Sequence, residues 1–246
     1  MEPKVDFIIA GAQKAGTTAL FDYLGDHPQI GLSDVKEVHF FDDEARDWAT
    51  PNYLDYHARF DLSDRTKVWG EATPIYLYWK DSLERICTYR PDIKLIVLLR
   101  DPVARAFSHW KMEYARGVET APFDWCVRRG RTRLFDSAPW GWHREFSYVE
   151  RGFYGEQVER LFGLFPREQV LILQAEALDA EPSATLSKVC DSLGVAPFPQ
   201  IRPRRVHEAR DLPYPSRLTP EDAAHLRAIY ARDSARLHAL TGLSFG

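Results

Sequence analysis

A glycine-rich segment close to the first residue has the composition of a phosphate-binding loop. Gly11–Thr18 reads GAQKAGTT, in which four residues separate the two glycines and two hydroxyl residues follow. The backbone N–H groups of such a loop, with the positive end of the helix after it, bind anionic groups. Nucleotide triphosphatases place a lysine directly after the second glycine, whereas this chain has Thr17 there and Lys14 inside the loop. The segment predicts an anion site without the usual Mg–triphosphate arrangement, and a tight turn without a ligand is the alternative.

A carboxylate and an imidazole lie two positions apart in the segment KEVHFF. If this segment is extended, Glu37 and His39 point to the same side of it. Either group can take a proton from a hydroxyl, and an imidazole titrates in the useful pH range. Asp42 follows three residues after His39 and is a candidate to orient the imidazole. The pair has the residue types that general-base chemistry uses, and the alternative for Glu37 is a solvated loop carboxylate.

An arginine follows the longest apolar run of the chain. Arg100 comes directly after the predicted strand Lys94–Leu99, and the carboxyl ends of parallel strands are where open α/β sheets bind ligands. A guanidinium matches the oxygens of a phosphate in bidentate fashion. Arg105 and Ser108 lie three apart, so they share one face of the helix predicted after Arg100. For Arg105 a surface ion pair is the alternative.

The elements that must position these residues are short apolar strands alternating with helices. Helical and strand periodicities follow one another along the chain, which is typical of a parallel sheet. The predicted strands are Val5–Ala10, Lys94–Leu99 and Gln169–Leu173, and the predicted helices are Thr17–His27, Pro102–Arg116, Tyr154–Phe165, Pro182–Leu193 and Pro220–Leu240. Asp101 and Thr219 are expected as N-caps, and Gly194 as the end of a helix. We therefore expect an α/β fold with a P-loop-like parallel β-sheet, helices on both faces and a single domain over residues 1–246.

Composition narrows the classes of partner and site. A net charge of -4 and a pI near 6.1 argue against nucleic acid or a highly sulfated polymer as a partner. Three widely spaced cysteines without a C-x-x-C pair indicate neither a disulfide framework nor a zinc site, and no metal is expected. No apolar run approaches the roughly 20 residues of a membrane span, and no signal peptide is recognised. The prediction is a cytoplasmic protein, unless the sequence is a catalytic domain without its anchor; no pattern indicates an oligomeric state.

Three ordered landmarks resemble one enzyme family. They are Gly11–Leu20 with His27-Pro28 and Lys36–Asp42, then Leu98–Trp110, then Arg151–Gln157. Together they resemble the sulfotransferases that use 3′-phosphoadenosine 5′-phosphosulfate (PAPS), particularly the branch related to heparan sulfate sulfotransferases and its bacterial relatives. The resemblance extends over nearly the whole chain.

The resemblance implies two groups of donor-binding residues, one for the 5′-phosphosulfate and one for the 3′-phosphate of the nucleotide. The 5′-phosphosulfate is expected at Gly11, Gln13, Lys14, Ala15, Gly16, Thr17 and Thr18. Arg100 and Ser108 are expected to hold the 3′-phosphate, Tyr154 to lie near the donor, and at least one of Arg204 and Arg205 to meet a phosphate. Core packing is the alternative for Tyr154, and a solvated charge run is the alternative for the two late arginines.

The resemblance also implies catalytic roles. Glu37 acts as the base, His39 orients the acceptor or is itself the base, and Lys14 stabilises the leaving phosphate, helped by nearby hydroxyls. The segment Gly70–Pro74 departs from the family, because alanine stands where heparan-type enzymes carry a catalytic lysine. That lysine role cannot be transferred, and a polysaccharide acceptor is put in doubt.

The acceptor is expected to contact residues from two segments. Glu71 and Thr73 are predicted to line its site, and helix capping by Thr73 before Pro74 is the alternative. Trp140 and Trp142 are predicted to form a floor for an apolar or sugar acceptor, with packing in a lid as the alternative.

The sequence as a whole predicts a sulfotransferase that uses PAPS and a hydroxyl of a small-molecule, lipid or glycoside acceptor. Two other functions stay open. One is a small-molecule or nucleoside kinase using ATP–Mg, and the other is an inactive module that only binds a nucleotide.

Overall fold

The computed structural model describes residues 4–136, 143–201 and 213–245. The strands are β1 (Phe7–Gly11), β2 (Ile30–Leu32), β3 (Val68–Ala72), β4 (Lys94–Leu99) and β5 (Val170–Gln174). The helices up to the middle of the chain are α1 (Thr17–Gly25), α2 (Leu54–His57), α3 (Ser82–Tyr89), α4 (Pro102–Ala115) and α5 (Phe123–Val127). The later helices are α6 (His143–Phe146), α7 (Tyr154–Leu164), α8 (Ala175–Ala180), α9 (Pro182–Leu193) and α10 (Pro220–Thr241).

The five strands form one parallel sheet in the order β2-β3-β1-β4-β5. β1 is central, with Phe7 opposite Gly70 of β3 on one side and Lys94 of β4 on the other. Every residue of β1 is buried, as expected where both faces of a parallel sheet are covered. Because all strands run the same way, Gly11, Ala72 and Leu99 end their strands at the same edge of the sheet.

The strand order places helices on both faces. The connection from β1 through α1 to β2 moves toward one side of the sheet, and the connection from β3 through α3 to β4 moves toward the other. Right-handed crossovers in opposite directions put α1 and α3 on opposite faces. The predicted α/β fold with a P-loop-like parallel sheet is confirmed.

The chain divides into two compact units. The first consists of Met1–Leu99 and Arg160–Val206 and contains the sheet, and the second consists of Arg100–Glu159 and His207–Gly246. The second unit has an aromatic core in which Trp110, Phe123, Tyr148 and Tyr230 are buried together. A single domain over residues 1–246 stays a prediction.

Local signals located the ends of the predicted elements to within about two residues. Asp101 accepts a hydrogen bond from the Ala104 N–H at 2.7 Å and caps α4. Thr219 forms a capping box with Asp222 at the start of α10, and Gly194 has a φ of 72° at the end of α9. The sequence did not indicate β2, β3, α2, α3, α5, α6 or α8. β2 has only three residues and β3 carries a glycine and a buried glutamate, so neither displays a strand-like alternation.

Candidate active site

The glycine-rich segment forms a compact loop between β1 and α1. The Ala15 N–H donates to the Ala12 carbonyl at 3.1 Å, and the Ala12 N–H donates to the Leu98 carbonyl of β4 at 2.7 Å. The first bond within α1 runs from the Leu20 N–H to the Gly16 carbonyl at 3.2 Å. The N–H groups at the start of α1 come before this first helical bond, so the helix itself offers them no carbonyl acceptor. The first turn of α1 carries no acidic side chain. The loop therefore has the polarity and backbone geometry of an anion site.

Both glycines of the loop have a structural reason to be glycine. A Cβ on Gly11 would lie 2.6 Å from the Leu77 side chain, which is closer than packed atoms approach. Gly16 has a φ of 85°, in the left-handed region that other residues adopt only under strain. Lys14, also at a positive φ of 69°, lies between them and is half-buried. The loop conformation thus explains the glycine spacing, while ligand binding at these residues stays a prediction.

Glu37, His39 and Asp42 form a chain of polar contacts. His39 Nε2 lies 3.3 Å from Glu37 Oε2, and His39 Nδ1 lies 2.9 Å from Asp42 Oδ2. Lys36 Nζ donates to Glu37 Oε1 at 3.0 Å. Asp42 is buried, whereas the side chains of Glu37 and His39 are 33% and 44% exposed, so a substrate can reach them.

The extended segment expected here is wrong. Glu37 has a φ of 67° and His39 a φ of 54°, so both adopt left-handed backbone conformations. The two side chains meet because the chain turns sharply at each residue, and not because alternate residues of an extended segment point to the same side. Non-glycine residues in this region carry a strain of order 1 kcal/mol each, which the surrounding structure must offset.

The contacts set the charges of the pair. Burial would raise the pKa of Glu37, but the hydrogen bond with His39 and the charge of Lys36 lower it to about 2. The hydrogen bond to Asp42, together with that to Glu37, raises the pKa of His39 to about 9 against the opposing effect of desolvation. At neutral pH Glu37 is a carboxylate and His39 an imidazolium.

A second polar cluster surrounds Glu71 at the end of β3. The side chains of Glu71 and Thr73 have no exposed area, and the Thr73 hydroxyl donates to Glu71 Oε2 at 2.5 Å. Residues 74–77 form turns, so the capping alternative for Thr73 is wrong. Direct contact of Glu71 or Thr73 with an acceptor stays a prediction, and it would require this buried cluster to open. Burial raises the pKa of Glu71 to about 7, although three hydroxyl groups that donate to it oppose the shift.

The predicted 3′-phosphate residues lie in the second unit. Arg100 and Ser108 are half-buried, on either side of the first turns of α4. Arg105 is wholly buried and its Nη2 donates to the Tyr148 carbonyl. Its Nε and Nη1 have no hydrogen-bond partner within the described residues, so the surface ion pair considered for Arg105 is wrong. Tyr154 is buried as well; burial raises its pKa to about 12 against the charge of nearby Arg105.

Four predicted site residues cannot be placed. Trp140, Trp142, Arg204 and Arg205 lie outside the described residues, so their predicted contacts with acceptor and donor stay predictions.

An open cleft borders the Glu37–His39 segment. Its volume is about 430 Å³, and its lining consists of Val38, Phe40, Arg46, Asp55, Ala58 and Arg59. Both arginines are paired with carboxylates, Arg46 with Asp43 and Asp55 and Arg59 with Asp34. The cleft therefore offers little unbalanced positive charge to a polyanion.

Sequence reasoning missed the tyrosines that support Glu71. Tyr56 and Tyr76 are buried, and both hydroxyls donate to Glu71 Oε1, at 3.0 and 3.3 Å. Tyr56 precedes Glu71 by fifteen residues and lies in α2, so no local spacing relates the two. The burial of Glu71, which calls for such donors, became visible only in the structure.

Comparison with known proteins decides the family. The family model described as "Sulfotransferase domain" matches residues 4–210. The chain belongs to the sulfotransferase family. This sulfotransferase is 31% identical over 194 residues to human heparan sulfate glucosamine 3-O-sulfotransferase 3B1, a match that covers 76% of the chain and 45% of that relative. The chain thus spans less than half the length of that curated relative.

Solved sulfotransferase structures share the fold. A sulfotransferase from Alicyclobacillus acidocaldarius superposes with a TM-score of 0.80 at 28% identity, covering 98% of this chain and 97% of that one. The sulfotransferase domain from the curacin biosynthetic pathway has a TM-score of 0.54 at 16% identity, covering 93% of this chain and 98% of that one. The second likeness concerns the fold alone. Among the helices described for this sulfotransferase, none has the length and apolar character to cross a bilayer. A cytoplasmic location stays a prediction.

Proposed function

We propose that this sulfotransferase moves the sulfuryl group of PAPS to a hydroxyl of a small-molecule, lipid or glycoside acceptor. The observation that carries the proposal is the contact chain Glu37–His39–Asp42, because it presents an ionised carboxylate on a partly exposed surface. Family membership supports the reaction class, and the loop between β1 and α1 supports an anionic donor.

Sulfuryl transfer needs alignment and charge stabilisation more than covalent help from the protein. The donor supplies an activated sulfur whose bond to the 5′-phosphate oxygen breaks as the acceptor oxygen bonds to it. In our proposal Glu37 takes the hydroxyl proton, and the imidazolium of His39 holds Glu37 and orients the acceptor. Lys14 and the N–H groups at the start of α1 stabilise the negative charge that develops on the leaving phosphate. The products are a sulfate ester and 3′-phosphoadenosine 5′-phosphate (PAP).

Charge in the cleft supports an acceptor that is not a long polyanion. Arg46 and Arg59 are paired with carboxylates, so the cleft beside Val38 offers apolar surface and balanced charge. Ala72 at the position where heparan-type enzymes carry lysine agrees with this. We propose the cleft as the entry for the acceptor.

The second unit carries buried positive charge that an anion could compensate. Among the described residues, the buried guanidinium of Arg105 has no carboxylate partner, and Arg100 is half-buried. A buried cation without a carboxylate partner is costly unless an anion compensates it. We propose that the 3′-phosphate of the donor binds Arg100 and Ser108 and is stabilised by the field of Arg105.

The two alternatives are less well supported. A kinase would need its loop lysine directly after Gly16, where Thr17 stands, and carboxylates to hold magnesium. An inactive nucleotide-binding module would have no need of the ordered contacts among Glu37, His39 and Asp42.

Calorimetric titration with PAP tests the proposed donor. We expect PAP to bind, and ATP–Mg and adenosine 5′-phosphosulfate, which lacks the 3′-phosphate, to bind at least about 10-fold more weakly. Arg100→Ala should weaken PAP binding by roughly 30-fold or more, because a charge-assisted bidentate contact is lost. Arg116→Ala is the control, since Arg116 lies at the end of α4, is exposed and pairs with Glu113. Binding of ATP–Mg without binding of PAP would replace the proposal with the kinase.

The substitution Arg105→Met should affect the stability of the ligand-free protein and its binding of PAP in opposite ways. Because methionine removes a buried charge that has no carboxylate partner among the described residues, we expect the melting temperature of the ligand-free protein to stay unchanged or rise. The rise in melting temperature caused by saturating PAP should shrink, because the field on the 3′-phosphate is lost. Differential scanning fluorimetry with and without PAP measures both. An undiminished PAP-induced rise in the variant would exclude Arg105 from donor binding.

A further inference from the structure

Glu71 accepts three hydroxyl hydrogen bonds in the interior of the first unit. Tyr56 and Tyr76 donate to Oε1 at 3.0 and 3.3 Å, and Thr73 donates to Oε2 at 2.5 Å. Glu71 lies next to the end of β3, opposite Ile8 of β1, and it is wholly buried. A carboxylate surrounded by hydroxyl donors in this way dictates where each hydroxyl proton points.

Two of these hydroxyls also hold the segment that carries Glu37 and His39. The Tyr76 oxygen accepts the N–H groups of Phe40 at 2.9 Å and Phe41 at 3.4 Å. The Thr73 oxygen accepts the His39 N–H at 3.5 Å. A hydroxyl has one proton, so a hydroxyl that donates to Glu71 must turn its lone pairs toward these amides. The ionised Glu71 thereby fixes both hydroxyls as acceptors for the backbone of residues 39–41.

The segment needs such anchors because its backbone is strained. Left-handed conformations at Glu37 and His39 persist only where surrounding contacts compensate them. The Glu37 N–H donates to the Ala72 carbonyl at 3.0 Å, so the segment is tied to the end of β3 on that side as well. These acceptors of the segment's N–H groups come from residues 72–76, directly after Glu71 in the chain, while Ser82 and Arg85 donate to the Phe41 carbonyl.

We propose that Glu71 is a positioning residue. Through the hydroxyls of Tyr76 and Thr73 it keeps the backbone of residues 39–41 in place, so that Glu37, His39 and Asp42 stay in contact. The inference rests on the proposed function in one respect, namely that Glu37 and His39 are the groups that act on the acceptor. Glu71 itself touches no substrate in this arrangement, because its side chain is buried beneath the segment.

The charges around Glu71 agree with this role. The titratable groups that face it are Tyr56, Tyr76 and the carboxylate of Asp42, and Thr73 adds a neutral donor. Burial, with a smaller contribution from Asp42, raises the pKa of Glu71 to about 7. A protonated Glu71 would need an acceptor for its own proton, so one hydroxyl would have to reverse. The positioning is therefore expected to weaken as the pH falls below about 7.

Two tyrosines allow a matched test. Tyr76→Phe removes both the bond to Glu71 and the anchor of the segment, whereas Tyr56→Phe removes only a bond to Glu71. Both side chains are wholly buried and lose one oxygen. The primary readout is the pKa of the His39 imidazole, followed by NMR, because the contacts with Asp42 and Glu37 raise it to about 9. We expect this pKa to fall toward its ordinary value near 6.5 in Tyr76→Phe and to stay near 9 in Tyr56→Phe.

Turnover and binding complete the experiment. With ³⁵S-labelled PAPS and the best acceptor of the wild type from a panel of phenols, sterols and alkyl glycosides, Tyr76→Phe should lower kcat by about 10- to 100-fold. Its affinity for PAP should stay within about twofold of the wild type, since the loop Gly11–Thr18 is untouched. Glu71→Gln should shift the His39 pKa in the same direction, because its amide NH₂ forces one hydroxyl to accept.

The outcomes separate the two proposals. Equal effects of Tyr76→Phe and Tyr56→Phe on the His39 pKa, or no effect of either, would overturn the role of Glu71. A wild type that does not bind PAP would overturn the proposed function, yet the NMR titration would still decide whether Glu71 positions the segment. If Glu71→Gln does not fold, the wild type gives the test: His39 contacts that stay unchanged as the pH falls below about 7 would overturn the role of Glu71.

Discussion

Replacing Glu37 with glutamine is expected to lower kcat by roughly 10²- to 10⁴-fold, because the amide cannot take the acceptor's proton. Glutamine keeps the length of the side chain and one oxygen within reach of His39, so the segment should remain in place. PAP affinity should therefore change by less than about threefold. The measurement is transfer of ³⁵S from labelled PAPS at saturating donor and acceptor, with PAP titration beside it.

Glu84→Gln is the matched control. Glu84 belongs to the same unit, is partly exposed and pairs with Arg160 at 2.7 Å, outside the Glu37–His39 segment. It should keep kcat within about twofold of the wild type. An active Glu37→Gln protein with near-normal kcat would show that Glu37 is not the base.

The pH dependence of kcat tells the two candidate bases apart. Because the pKa of His39 is raised to about 9 and that of Glu37 lowered to about 2, the ion pair exists between these limits. If Glu37 is the base beside a positively charged His39, kcat falls as the pH rises through about 9. A neutral His39 acting as the base would instead make kcat rise through the same range.

The same two pKa shifts affect folding stability at opposite ends of the pH range. The raised pKa of His39 contributes stability that is full below about 6.5 and is lost as the pH rises through about 9. The lowered pKa of Glu37 contributes stability that is full above about 4.5 and is lost as the pH falls through about 2. Solvent screens both contributions, because each side chain is at least one-third exposed.

Replacing Lys14 with alanine is expected to produce the second large loss of kcat. We expect kcat to fall by roughly 10²- to 10³-fold, because a cation beside the leaving phosphate acts mainly as negative charge develops there in the transition state. PAP affinity should fall less, by about 10-fold or below, since the backbone of the loop still binds the phosphate. Comparing kcat with the dissociation constant of PAP in the same variant measures the difference.

Lys80→Ala provides the comparison for charge alone. Lys80 is an exposed lysine of the same unit, and its removal changes the net charge by the same amount. It should affect neither quantity by more than about twofold. Equal losses of kcat and of PAP affinity in Lys14→Ala would mean that Lys14 binds the donor without favouring the transition state.

Much of the architecture was predictable because it depends on interactions between near neighbours. Asp101 and Thr219 cap their helices with bonds that span three residues, and Gly194 ends a helix through its own backbone freedom. β1 and β4 are apolar runs of strand length that need no distant partner to be recognised. The glycine spacing of the loop likewise follows from backbone geometry at Gly11 and Gly16.

The sequence by itself therefore determined the strand–loop–helix units, the parallel sheet and the residue types available for chemistry. Tertiary structure alone decided how they meet. Left-handed turns rather than a strand brought Glu37 to His39, and α2 supplied Tyr56 to Glu71. Burial left two nitrogens of Arg105 without a hydrogen-bond partner in the part of the chain that the structure describes. The physical reason is that burial and hydrogen-bond direction at these residues depend on neighbours far away in the chain, whereas caps, glycine turns and apolar periodicity depend on adjacent ones.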